Sequence, residues 1–87
     1  MYHSQTILRR PEVQHRTGLP RSTLYALVSQ GLFSRPLKIA KRASGWPAHE
    51  VDAINAARIA GDGEDRIRQL VRELEACRTE LGTKTNC

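Results

Sequence analysis

The chain has 87 residues, a size that permits one small domain with one hydrophobic core. Its formal net charge of +5 and pI of about 9.9 favour an anionic partner. Its two cysteines and three scattered histidines lack the paired spacing of a zinc site, and no apolar run reaches the ~20 residues of a membrane-spanning helix. The polar first residues predict no signal peptide, so we expect a cytoplasmic protein with no metal, no cofactor and no membrane contact.

Two short helices joined by a tight turn are predicted near the start of the chain. Pro11 suits the first turn of a helix, and Gly18 is a typical helix end. A second helix is predicted from about Pro20 to Gln30, where Gly31 stops it. Its apolar positions, spaced to share one face, are Leu24, Leu27 and Val28.

A β-hairpin and two further helices are predicted next. Residues 37–40 alternate apolar and polar side chains, residues 41–45 form a basic turn, and residues 44–46 return as a strand. Pro47 begins a third helix, and a fourth is predicted over about residues 64–81, before Gly82. The expected fold is mainly α with a small β-hairpin, and Phe33, Trp46, Val51 and Ile54 are expected in its core.

The first two helices have the spacing of a helix-turn-helix, in which the second helix enters the major groove of DNA. Arg21 can donate to a guanine edge or to a phosphate, and Ser22 and Thr23 can donate to phosphates near the helix N-terminus. Tyr25 lies one turn further on and can reach a phosphate or a sugar. The charge agrees with this interpretation, because residues 1–60 carry nine Lys and Arg against three acids. The alternative is a solvated helix face.

The hairpin is interpreted as the wing of a winged helix-turn-helix. Lys38, Lys41 and Arg42 lie on it or at its tip, with Ser44 close by, where they can follow the DNA backbone or enter a minor groove. Arg10, together with Arg9, is predicted to add backbone contacts. The predicted DNA-binding residues are therefore Arg10, Arg21, Ser22, Thr23, Tyr25, Lys38, Lys41, Arg42 and Ser44.

The stretch from Ile7 to Ala60 resembles the small AlpA-type, excisionase-like winged helix-turn-helix proteins of phages and integrated elements. The resemblance lies in L-R-R-P-E-V (8–13), T-G-L-P-R-S-T-L-Y (17–25), G-L-F (31–33), L-K-I-A-K-R-A-S-G-W (37–46) and W-P-A-H-E-V (46–51). It implies a fold related to the DNA-binding part of MerR regulators. It also implies a DNA-binding regulator, or a factor that directs site-specific excision, with the second helix and the wing on the DNA.

Three features depart from the pattern of that family. Pro20 stands where relatives often carry a capping Ser or Thr, so we expect Ser22 or Thr23 to compensate at the start of the second helix. Ile54 stands where relatives often have a tryptophan. The helix beyond Gly61 is an addition to the shared domain.

The added helix has its own hydrophobic pattern. Its apolar residues recur at spacings of 3 and 4, as in a coiled coil of about two heptads, and Glu73 would attract Arg78 of a second chain. This predicts a homodimer, which would suit inverted-repeat DNA, or a cooperative oligomer on DNA. Packing of the helix on its own domain is the alternative. The predicted dimerisation residues are Ile67, Leu70, Leu74, Cys77 and Leu81.

The sequence thus predicts a DNA-binding domain over residues 1–61, a dimerisation helix over 62–82 and a disordered tail over 83–87. The predicted function is sequence-specific binding of double-stranded DNA by a phage or prophage transcriptional regulator. The alternatives are an excisionase that assists an integrase and, more remotely, a protein-interaction module. No catalytic constellation or phosphate-binding loop is recognisable, so no enzymatic activity is expected.

Overall fold

A computed structural model describes residues 6–81, with side chains from residue 6 to residue 78. The expected mainly α fold with a β-hairpin is confirmed. The predicted tail over residues 83–87 and the helix end at Gly82 lie outside the described residues. The elements in chain order are β1 (Ile7–Leu8), α1 (Arg10–Thr17), α2 (Arg21–Ser29), β2 (Leu37–Ala40), β3 (Ala43–Pro47), α3 (Ala48–Ile59) and α4 (Glu64–Leu81).

The turn between α1 and α2 is closed by local hydrogen bonds. Gly18 adopts a φ of 74°, a left-handed conformation that favours glycine, and its N–H donates to the Gln14 carbonyl oxygen at 2.8 Å. The Leu19 N–H donates to Thr17 Oγ1 at 3.3 Å. Pro20 then stands at the N-cap of α2 with a φ of −65°, so α2 begins one residue later than the proline. The predicted helix-turn-helix spacing follows from this glycine and this proline.

The wing belongs to a three-stranded antiparallel sheet of order β1-β3-β2. The sequence predicted only the hairpin of β2 and β3, whereas Leu8 of β1 also pairs with Trp46 of β3. Gly45 is required where the strands meet, because a Cβ there would lie 2.6 Å from Ile7 Cγ2 and 2.7 Å from the Leu8 carbonyl oxygen. The hairpin is therefore attached through β3 to the chain that enters α1.

The core lies between the helices and the inner side of the sheet, and the expected core residues are buried there. Trp46 is at its centre: its ring packs edge-on against Phe33, with ring centroids 6.3 Å apart. The Trp46 indole N–H donates to the Ser34 carbonyl oxygen at 2.7 Å, so its one polar atom is satisfied. Ile54 is also fully buried.

Helix α4 packs against its own domain. Ile67 is only 5% exposed and joins the core together with Val71, which the heptad pattern did not include; Leu70 and Leu74 pack against the same core. Cys77 is half-buried, and the Leu81 side chain lies outside the described residues. The side of α4 that was predicted to face a second chain is thus covered largely by the same chain.

Ion pairs at the end of α4 attach it to α3 and to the start of the wing. Arg78 donates to both carboxylate oxygens of Glu50 at 2.7 and 2.9 Å. In this chain Arg78 thus pairs with Glu50, while the expected attraction between Glu73 and Arg78 of a second chain stays a prediction. Glu75 accepts hydrogen bonds from the backbone N–H and the guanidinium of Arg35, two residues before β2.

Arg58 of α3 also ties the domain together. It donates to the Leu32 carbonyl oxygen at 2.6 Å, next to Phe33 in the core. Burial lowers the pKa of this guanidinium. The contact holds the segment after α2 against α3.

Candidate nucleic-acid interface

The start of α2 presents unpaired polar groups to solvent. Pro20 offers no side-chain cap, so the backbone N–H groups of the first turn receive none. The expected compensation by Ser22 or Thr23 is wrong, since neither hydroxyl is hydrogen-bonded within residues 6–81 and both side chains are exposed. The positive end of the helix dipole and two hydroxyl donors therefore remain available to a ligand.

Tyr25 links this end of α2 to the core. Its ring is 41% exposed, and its centroid lies 6.2 Å from that of the Trp46 ring. The Arg21 guanidinium carbon lies 5.9 Å from the Tyr25 centroid, within cation–π distance. The core ring of Phe33 thus contacts Trp46, Trp46 contacts Tyr25, and Tyr25 contacts Arg21. These contacts connect the exposed Arg21 side chain to the buried core and help to orient it.

The wing carries its cations at the position that the sequence predicted. Lys41 and Arg42 form the two-residue turn between β2 and β3, and Lys38 lies on β2. All three side chains are exposed. Within the described part of the chain, none of them makes an ion pair with a carboxylate.

Charges are distributed unevenly over the molecule. No Asp or Glu occurs between residues 13 and 49, a stretch that holds six Lys and Arg. Two of these six, both outside α2 and the wing, pair with carboxylates: Arg16 contacts Asp52 at 3.2 Å, and Arg35 contacts Glu75 at 3.0 Å. The exposed cations of α2 and the wing are thus left without neutralising partners, which produces a positive surface.

An open groove joins α1, α2 and the wing. It encloses about 350 Å³ and is bordered by seven residues from these elements. Four of them were predicted to bind DNA, so the structure brings together side chains that are far apart in sequence. The lining residues are Arg9, Arg10, Pro11, Tyr25, Arg42, Ser44 and Trp46.

The groove residues also differ from the prediction in two respects. Ser44 contributes its backbone carbonyl oxygen, which accepts a hydrogen bond from Arg9 Nε at 3.1 Å. Trp46, expected only in the core, forms part of the groove wall. Arg21, Ser22, Thr23, Lys38 and Lys41 do not line this groove.

Residues 6–81 contain neither a candidate metal site nor a membrane-spanning helix. No three His, Cys, Asp or Glu side chains come together there in a way that could hold a metal ion. None of the helices in this part of the chain is long and apolar enough to cross a bilayer.

Residues 6–59, from just before β1 to the end of α3, match the family described as "Prophage CP4-57 regulatory protein (AlpA)". The chain belongs to this AlpA family. Membership confirms the resemblance noted in the sequence and implies a DNA-binding regulator of phage or prophage origin. The AlpA match includes α2, the wing and the whole groove, and it ends before α4.

One relative comes from a phage. "Uncharacterized protein ORF88" of Enterobacteria phage P4 is 42% identical over 57 residues, which cover 66% of this chain and 65% of that protein. The match therefore spans about two thirds of the relative's length.

Proposed function

We propose that this AlpA-family protein binds specific sequences in double-stranded DNA and regulates transcription from a phage or prophage promoter. The observation that carries this proposal is the exposed set of unpaired cations on α2 and the wing. They occupy a stretch with no acidic residue, bordering a groove that contains three arginines. Such a surface suits double-stranded DNA, a polyanion whose major groove is wide enough to hold an α-helix.

In this proposal α2 enters the major groove with its N-terminus first. Arg21 donates to a guanine edge, supported from behind by the Tyr25 ring. Ser22 and Thr23 donate to phosphates together with the uncapped N–H groups of the first turn. The missing cap is then an advantage, since a capping side chain would occupy donors that a phosphate can use.

The wing supplies contacts outside the major groove. Lys38, Lys41 and Arg42 are exposed and unpaired within the described residues, so they are available to neighbouring phosphates or to a minor groove. Arg10 and Ser44 lie beside them at the start of α1 and on β3. Cationic contacts of this kind add affinity without selecting a base sequence.

Selection of binding sites from a pool of randomised duplexes tests the proposed specificity. We expect enrichment of a common sequence, and weaker binding to the same duplex when that sequence is scrambled. Binding of all duplexes with equal affinity would contradict specificity. Failure to bind any duplex at low salt would reject DNA binding and favour the protein-interaction alternative.

A reporter assay then separates regulation from excision. The selected site is placed upstream of a reporter promoter in cells that contain no integrase, and we expect reporter output to change when the protein is expressed. Unchanged output, together with excision products that appear only when an integrase and this protein are both present, would assign the protein to excision instead. The predicted homodimer remains a prediction, which mass measurements address below.

A further inference from the structure

The groove between α1, α2 and the wing has an unusual composition. Its lining includes three arginines, Arg9, Arg10 and Arg42, and no acidic residue. The remaining wall is Pro11, the Tyr25 ring, Ser44 and the buried Trp46. Three cations with no acidic residue among the lining favour an anion as the ligand of this groove.

Two of these arginines are oriented by neutral acceptors. Arg9 donates its Nε to the Ser44 carbonyl oxygen at 3.1 Å, and Arg10 donates Nη1 to Gln14 Oε1 at 2.6 Å. An arginine has five N–H donors, so each keeps further donors for a ligand. Since carbonyl and amide oxygens carry no formal charge, both guanidinium groups are held in place without being neutralised.

Arg42 of the wing also lines the groove. It makes no hydrogen bond or ion pair within residues 6–81, and it belongs to the turn of the wing. A tetrahedral anion between Arg9 and Arg42 would therefore receive one donor group fixed on the body of the domain and one from the wing. The planar fork of arginine suits such an oxyanion.

We propose that this groove binds a single phosphodiester of the DNA backbone and that Arg9 and Arg42 contact the same phosphate. The inference rests on the proposed function and goes beyond it, because it assigns a shared ligand to two residues from different elements. Binding of one phosphate by both would fix the wing relative to α1 and thereby set the angle at which α2 enters the major groove.

Salt dependence measures how many phosphates the groove contacts. Each neutralised phosphate contributes about 0.9 to the slope of log K against log salt concentration on duplex DNA. We would measure binding to a random-sequence duplex for the parent protein, Arg9→Gln, Arg42→Gln and the double variant, between about 50 and 200 mM salt. If both arginines hold one phosphate, each single variant should keep most of the slope, because the other arginine still contacts that phosphate, and the double variant should lose about 0.9 in total. A loss of about 0.9 in one single variant and none in the other would mean that only one arginine contacts the phosphate.

Other results would overturn the inference in distinguishable ways. A loss of about 1.8 would mean that the two arginines contact separate phosphates, and an unchanged slope would mean that neither contacts one. If the parent protein binds no duplex, the proposed function fails together with the groove.

Two further variants test whether the effect depends on the position of the charge and on the shape of the arginine side chain, and a melting experiment tests folding. Arg66→Gln removes the same charge from an exposed position on α4, beside Asp62 and Glu73, and should leave the slope unchanged. Arg9→Lys keeps the charge but not the fork, so it should retain the slope while lowering affinity. Thermal melting of each variant checks that the domain remains folded.

Discussion

Glu50 and Arg78 form a doubly hydrogen-bonded ion pair that joins the first turn of α3 to α4. Glu50 is fully buried, and Arg78 also donates to the Arg35 carbonyl oxygen at 2.6 Å. A buried carboxylate requires such a partner, because desolvation of an unpaired charge is very costly. This pair therefore makes α4 part of the domain.

Arg78→Met should lower the free energy of unfolding by about 3 kcal/mol or more, because it leaves the buried Glu50 carboxylate unpaired. Urea denaturation measures the loss. Replacing both residues, as Glu50→Met with Arg78→Met, should recover most of it. Arg16→Met is the matched control: its pairs with Glu12 and Asp52 are exposed, so the change should stay below about 1 kcal/mol. An equal loss in both single variants would contradict a special role for the buried pair.

Ile67→Ala should destabilise the monomer by about 2–5 kcal/mol, since Ile67 belongs to the core of its own chain. Ile59→Ala makes the same chemical change at a position that is 80% exposed and should alter stability by less than about 0.5 kcal/mol. Denaturation combined with light scattering checks both effects. The dimer predicted from the heptad spacing would gain support if Ile67→Ala halved the mass and left monomer stability unchanged.

Arg21→Ala should weaken binding to a selected DNA site by about 1–3 kcal/mol and relax specificity at one base pair, as expected for loss of a bidentate base contact. Competition gel shifts with the selected and scrambled duplexes measure both effects. Arg66→Ala on α4 removes an equal charge and should change specific affinity little. Equal losses of affinity in the two variants would show that Arg21 contributes only its charge and makes no specific base contact.

Tyr25→Phe should lower DNA affinity by about 0.5–1.5 kcal/mol while the salt slope is retained, because a neutral hydroxyl releases no counterion. The hydroxyl makes no hydrogen bond within the described residues, so the fold should be unaffected. Tyr25→Ala should weaken binding further, since it also removes the ring between Trp46 and Arg21. Titrations at several salt concentrations give both quantities, and a slope reduced in Tyr25→Phe would argue against this role.

Local chemistry made most of the fold predictable from sequence. Gly18 and Pro20 determine where α1 ends and α2 begins, and alternation over residues 37–40 indicates the wing. Strand β1 was not predicted, because a two-residue strand is too short to show an alternating pattern and its partner strand is nearly forty residues away in the sequence. Contacts at such separations depend on the assembled fold.

The candidate site was predictable in part for the same reason. Exposed cations on α2 and the wing follow from helix and strand spacing, but the meeting of Arg42 with Arg9 and Arg10 in one groove does not. For α4, the sequence does not show what the apolar side of the helix packs against. Spacings of 3 and 4 describe an apolar stripe on any amphipathic helix, so they do not distinguish a partner chain from the helix's own domain. The buried Glu50 and its partner Arg78, 28 residues apart, hold α4 against its own chain, and the homodimer stays a prediction.

The uneven placement of charge also bears on how the molecule approaches DNA. Acidic residues are concentrated after residue 49, while the stretch from 13 to 49 has none, so the protein carries an electric dipole as well as a net charge. In the field of a polyanion such a dipole experiences a torque that turns the positive side forward. Random encounters would therefore be converted into correctly oriented ones before contact, and the association rate would exceed that of an evenly charged domain of the same size.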